Sequence, residues 1–291
     1  MKTRNLFGII ALGAIFTIGS CSKDNNSADS SLTSADALAA NRMDKAANDV
    51  SDIVEDVYFL QNPSGAGKNS ATSVSALPLC ASVSAATTTP NSWERTVTFT
   101  DCTFNGNILN GQIIVSGALP LPNATNTLAT TGYTINYQFV NFTHNSILIE
   151  GNRSITRKFA SSQLLANNHP IHIMQLNMTA TFPNGDIYTR VGTRTRECVE
   201  NFGDGILINN VYKIYQSITN TRPNGAQHSH VVLETSPLKI NMACQYKVIS
   251  GVLTITGPSN SAVIDYGNGD CDNNATIAIN GGAPTAFTFG N

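Results

Sequence analysis

From about residue 77 onward, apolar and polar residues take turns at a period of two, and that alternation constrains this chain more than any other feature. Successive side chains of a strand leave on opposite faces, so such a segment carries one apolar and one polar side. Gln112-Ile-Ile-Val-Ser116, Tyr133 to Phe142, Ile147-Leu-Ile-Glu150 and Ile171 to Phe182 are the clearest cases. Two Pro-Asn-Gly turns, Pro183-Asn184-Gly185 and Pro223-Asn224-Gly225, each sit between extended segments. Asn-Gly tolerates positive φ at both residues and is the strongest short-range hairpin signal. The expected fold is mainly β, a large antiparallel β-sandwich or curved β-meander of about twelve strands, preceded by one amphipathic α-helix.

That helix is expected over 34–61. Met43, Ala47, Val50, Val54 and Val57 recur every three to four residues, with Ile53 and Tyr58 beside them. Thr33 or Ser34 can cap its start. Asp36, Asp44, Asp49, Asp52, Glu55 and Asp56 fall mostly off the apolar stripe. Asn62-Pro63-Ser-Gly-Ala-Gly67 ends the pattern and opens a flexible linker over 62–76. Within it, Gly65-Ala-Gly67-Lys68-Asn-Ser70 only superficially resembles a phosphate-binding loop. The first glycine is not at the required spacing, and Asn69 stands where a hydroxyl should meet magnesium.

The first 20 residues read as an export signal. Lys2 and Arg4 precede an unbroken apolar stretch from Leu6 to Ile18, and small residues Gly19 and Ser20 follow. The stretch is too short to span a bilayer, which needs about 20 residues. Ile18-Gly19-Ser20-Cys21 resembles a lipobox, which makes residues 1–20 a lipoprotein signal peptide and Cys21 the lipid-anchor residue. Two or three acyl chains give stable membrane attachment where one does not. Ser22 rather than aspartate follows the cysteine, and 21–33 form a polar tether. The location expected is the outer membrane, surface-exposed, with a periplasm-facing arrangement as the alternative. Tether, helix and linker would then hold a β domain of residues 77–291 away from the membrane.

Residues 1–20 hold two of the 17 basic residues and none of the 19 acidic ones, so the chain from Cys21 carries a net charge of −4. No basic face dominates, which leaves nucleic acid without an electrostatic basis as a partner. Polarity comes instead from 33 Asn and 31 Thr. Thr favours half-buried strands and Asn favours turns, as suits an extracytoplasmic β protein. Asn-X-Ser/Thr sequons, among them those at Asn123, Asn141, Asn152, Asn177 and Asn274, follow from that abundance.

Export places the five remaining cysteines in an oxidising compartment. Cys80 and Cys102 flank one strand-like segment, and Cys244 and Cys271 flank another pair of them. The disulfides expected are Cys80–Cys102 and Cys244–Cys271, with Cys198 free and buried. The two ends of the β region also echo each other. Val97 to Cys102 leads to Gly111–Gly117, and Val263 to Cys271 leads to Ala275–Gly281. Each is read as a strand, an Asp/Gly turn bearing the cysteine, and a second strand closed by glycine.

The segment Val263 to Gly281, the run Arg194-Thr-Arg196-Glu197, and Ser236-Pro-Leu-Lys239 with Asn241-Met-Ala-Cys244 resemble a group of Bacteroidetes lipoproteins. The resemblance spans roughly residues 95–285 and implies the β architecture and the location. It carries no activity. Phe104 to Gly111 departs from the group's charged Asp-Gly-Arg turn.

Four constellations could carry chemistry. Asn268, Asp270 and Asp272, with Asp265 nearby, resemble the start of a calcium loop. Asn273 replaces the required glycine and Ile279 the closing glutamate, so an Asx-rich turn is expected. His169, His172, His228 and His230 lack a carboxylate or cysteine at useful spacing and read as exposed hairpin or loop residues, with Pro170 marking a loop. Arg190, Arg194 and Arg196 share a strand face, and Arg153 and Arg157 lie on a nearby strand. A stripe for acidic glycans or phosphate is possible on such a pattern, but the reading adopted is a solvated face paired with Glu150 and Glu197. Trp93, Tyr133, Tyr137, Tyr212 and Tyr215 are assigned to packing rather than sugar stacking. No serine elbow or metalloprotease helix motif occurs. No catalytic residue, cofactor or metal site is assigned, and the expectation is a non-catalytic binding or structural surface module with a glycan or protein ligand outside the cell. The alternative is a glycan-processing hydrolase, which needs two facing carboxylates within about 10 Å.

Overall fold

A computed structural model describes residues 34–62, 77–122, 132–202, 209–244 and 248–288. The signal segment, Cys21, the tether and nearly all of the linker, including Gly65–Ser70, lie outside the described residues. Helix α1 (Ser34–Gln61) opens the described chain. Then come β1 (Ser82–Val83), β2 (Thr87–Thr88), β3 (Ser92–Phe104), β4 (Asn107–Ala118), β5 (Tyr133–His144), β6 (Ile147–Glu150), β7 (Asn152–Ala160) and β8 (His169–Thr181). The second half holds β9 (Ile187–Glu200), β10 (Val211–Thr221), β11 (Gln227–Val232), β12 (Leu238–Asn241), β13 (Val248–Thr256), β14 (Ser261–Asn268), β15 (Asn274–Ile279) and β16 (Thr285–Thr288).

All sixteen strands belong to one antiparallel sheet, and the long ones pair nearly in chain order. The result is a single-sheet meander, preceded by one helix. The turns named in the sequence are where they should be. Pro183-Asn184-Gly185 joins β8 to β9 and Pro223-Asn224-Gly225 joins β10 to β11. Asn105-Gly106, both at positive φ, closes β3 onto β4. The hairpin echo therefore needs a correction. Asp101 and Cys102 sit inside β3 at a register shift, not in a turn, whereas Cys271 does lie between β14 and β15. Asp101 takes positive φ there, and the extra residue bends the strand. A second shift follows at once in β4, where a Cβ on Gly111 would run into the backbone of Asn141. Stacked bulges of this kind curl a sheet.

α1 lies in the hollow of the curled sheet. Asp49 of α1 meets the ends of β3, β4 and β5, while Asp52 and Glu55, on the other flank, meet β9 and β8. One helix cannot touch both regions unless the strands rise on either side of it. Its apolar stripe (Met43, Val50, Ile53, Val54, Val57 and Tyr58, each 1% exposed or less) faces Trp93, Ile113, Ile135, Phe142, Ile155 and Met178 in one core. Each such side chain contributes roughly 1.5–3 kcal/mol by burial. Helix bounds agree with the pattern read from the sequence, but α1 is packed into the core rather than standing between the membrane and the β domain. A smaller core, Ile214, Val232, Leu238, Leu253, Ile255 and Ala262, serves the C-terminal strands.

Both disulfides form as paired in the sequence reading: Cys80–Cys102 and Cys244–Cys271, with Cys198 free and buried. A Cys21→Ser chain, unfolded without reductant, is expected to titrate one thiol. Three thiols would mean that one bridge does not form in solution.

Candidate functional site

The ionisable groups concentrate along the seam between α1 and the curled sheet. A strand alternates faces, so Arg190, Arg194 and Arg196 of β9 point together, and the face they share is the one that α1 covers. Their cross-strand partners Met178, Met174 and His172 on β8, and Asn220, Gln216 and Ile214 on β10, share it. Arg153 and Arg157 of β7 extend it. Four of these five arginines are buried to 5% exposure or less, and Arg196 is nearly so.

α1 supplies the counter-charge. Asp44 accepts from Arg190 at 2.6 and 3.4 Å, with Arg194 3.7 Å away. Arg196 bridges Asp52 at 3.1 Å and Glu55 at 2.8 Å. His172 Nδ1 lies 2.6 Å from Glu55, and Arg157 Nε donates to His172 Nε2 at 3.4 Å. Since Nε2 is the acceptor there, Nδ1 carries the proton and the ring is neutral. On the opposite flank Asp49 accepts from Asn105 at 2.9 Å and Asn107 at 2.7 Å and pairs with His144 Nε2 at 2.9 Å. Asp36 pairs with Arg222 at 2.8 Å near the start of the helix.

Aromatic rings hold what carboxylates do not. Arg157 lies over both Tyr58 and Phe59, 4.6 and 4.5 Å from their centroids. Arg153, which makes no ion pair among the described residues, lies over Phe139 at 5.2 Å and against Met178. Such stacking contributes about 0.5–2 kcal/mol.

The environment separates the carboxylates of the seam. Burial lifts Asp52 above the usual carboxylate range despite Arg196. Burial also opposes charge on Glu55, but His172 and Arg196 outweigh it and hold Glu55 well below that range. Asp44 is likewise held low by Arg190 and Arg194 against its burial. Burial, helped by Arg157 and Arg196, keeps His172 below its ordinary value.

His230 gives the seam a pH dependence. Burial and then Arg190 push it down from 6.5 to about 4. A folded value below the unfolded one means that the unfolded chain takes up the proton first. That contribution is complete above about pH 6.5 and is lost as pH falls towards about 4. The urea midpoint of the native chain is expected to fall through this window, and His230→Gln to flatten part of the fall. Parallel profiles for the two chains would refute the assignment.

Several sequence readings change here. Arg190, Arg194 and Arg196 do not form a solvated face; they are interior and pair with helix acids, not with Glu150. Glu197 has the opposite parity and sits on the other face, fully buried, where it binds Ser162, His169 and Tyr215. His169, His172, His228 and His230 are all buried rather than exposed. Pro170 stands within β8, not in a loop. Other readings stand: Trp93 is a core residue, donating to Tyr133 at 2.7 Å. Around Asn268–Asp272 the carboxylates are turned inward on their own backbone: Asp265 accepts from the Gly267 amide and Asp272 from the Asn274 amide. That is the Asx-turn arrangement, and among the described residues no three His, Cys, Asp or Glu side chains are grouped to hold a metal.

Ser162 had no sequence signal as a site residue, and Tyr215 had one only as a packing aromatic. The helix acids did have one, since Asp44, Asp52 and Glu55 recur on one flank of the stripe. No family model matches this chain, and neither the curated proteins nor the solved structures contain a significant match to it.

Proposed function

We propose that the chain is a lipid-anchored, non-catalytic binding or structural module outside the cytoplasm, held in the outer membrane through acylated Cys21 and facing outward. The observation that carries the reading is the use made of the seam. Its carboxylates, guanidinium groups and imidazoles are bonded to one another across the helix–sheet junction, so that they hold the fold together. Two disulfides suit an oxidising compartment. The signal-like residues 1–20 and the small-residue approach to Cys21 suit acylation, as does the resemblance to Bacteroidetes lipoproteins.

Palmitate labelling and detergent partition of the full chain test the anchor. The native chain should be labelled and enter the detergent phase, and Cys21→Ser should do neither. Protease shaving of intact cells tests the outward face, which a fully protected chain would contradict. Glycan and protein arrays probed with the chain from Ser22 test for a ligand. Release of sugar from any arrayed glycan would replace the non-catalytic reading with a hydrolase.

A further inference from the structure

On the face of the sheet turned away from α1, residues 161–168 connect β7 to β8 and are tied down by one buried carboxylate. Glu197 of β9 is fully buried and accepts from Ser162 Oγ at 2.6 Å and from the Tyr215 hydroxyl at 2.9 Å. His169 Nε2 stands 2.8 Å from the same carboxylate. The other ring nitrogen, Nδ1, is 2.7 Å from the carbonyl oxygen of Asn167. Both ring nitrogens of His169 therefore face acceptors. A neutral imidazole brings one N–H and would leave a lone pair against an oxygen, so the arrangement holds one proton more than a neutral histidine and a carboxylate carry. The Ser162 and Tyr215 hydroxyls both donate to Glu197, so its oxygens act as acceptors and the extra proton is drawn on the ring.

We propose that His169 and Glu197 form a proton-dependent clasp on the 161–168 strap. With the proton in place, the ring ties Asn167 to Glu197, and Ser162 Oγ both donates to Glu197 and receives the amides of Leu164 and Leu165 at 3.0 and 3.3 Å. Loss of the proton breaks one of the two ring bonds and frees the Asn167 end of the strap. The groups sharing the clasp's face come from three strands: Lys158 of β7 pairs with Ile171 of β8, itself the register partner of Glu197. Tyr215 comes from β10, where Lys213 is the register partner of Glu197, and Phe202 packs its ring 6.2 Å from His169. Glu234 acts on Tyr215, whose hydroxyl burial and Glu197 keep protonated. Arg196 and His172, though adjacent in the strands, lie on the opposite face.

Two measurements on the full chain decide the matter. Nitrogen NMR of the ¹⁵N-histidine-labelled protein should show both ring nitrogens of His169 protonated at neutral pH, and His172 protonated only at Nδ1. A single protonated nitrogen on His169 would overturn the proposal without any variant being made. Subtilisin digestion, scanned from about pH 5 to about pH 10 and normalised to a peptide substrate, should cut at Leu164–Leu165 about tenfold faster or more once the proton is lost. His169→Gln keeps one donor to Glu197 and cannot charge. It should be cut at the fast rate with a flat profile. Equal pH dependence in the native chain and His169→Gln would also overturn the clasp.

Discussion

Asp44→Ala is expected to destabilise the protein by about 3–5 kcal/mol, the range for removing one partner of a buried ion pair. Arg190 is wholly buried, while Asp44 keeps 31% of its side chain exposed. Removing the acid strands a guanidinium with no access to water, beside Arg194, whose one ion pair among the described residues is with the same acid. Removing the base, as in Arg190→Met, leaves a carboxylate that can hydrate. The two single variants should therefore differ, with Asp44→Ala the worse, and the double variant should recover part of the loss. Urea midpoints at unchanged m-value measure all three. Lys239–Glu200, exposed by 36% and 51%, is the control and should be worth about 1 kcal/mol or less. An Asp44→Ala effect no larger than that control would show that the seam is not load-carrying.

A chain starting at Leu77, without α1, is expected to lose its cooperative unfolding transition altogether. Removing the helix withdraws Met43, Val50, Ile53, Val54, Val57 and Tyr58 from the main core. It also exposes the apolar floor they cover and leaves Arg190, Arg196, His144 and His172 without their carboxylate partners. Strong binding of a hydrophobic dye, with strand content partly kept and near-ultraviolet dichroism lost, is the expected signature. A truncated chain that melts sharply with native dichroism would return α1 to the role of a stalk. Ile53→Ala offers a milder form of the same test, at about 2–5 kcal/mol.

The strands, hairpin turns and helix limits could be read from the sequence because each depends on neighbours a few residues away. Asn184-Gly185 specifies its turn alone, and so does the repeat of Met43, Ala47, Val50 and Val54. The disulfides could be read because the cysteines of each pair flank strand segments close in sequence. What could not be read is which face of β9 turns inward. Alternation assigns Arg190, Arg194 and Arg196 to one side, and the rule that charges stay outside then sends that side to solvent. The rule fails here because the compensating acids are more than a hundred positions away, on a helix whose own pattern does not say what it packs against. The same holds for His228 and His230, polar residues on a hairpin that happens to close over the helix side. Pro170 misled for a different reason. It lies in the first residues of β8, where a missing amide is tolerated.

The placement of α1 also decides how the protein answers a pull. Tension arriving along the chain ahead of Ser34 meets the helix before any strand, and the first bonds to bear it are those of Asp36 with Arg222 and Tyr188. Beyond them the load passes in sequence to Asp44, Asp49, Asp52 and Glu55, held by Arg190, by His144 and, for the last two, by Arg196. Drawing the chain out would mean extracting a helix from inside its own sheet. The route by which force enters the protein is thus the route on which its ion pairs are strung.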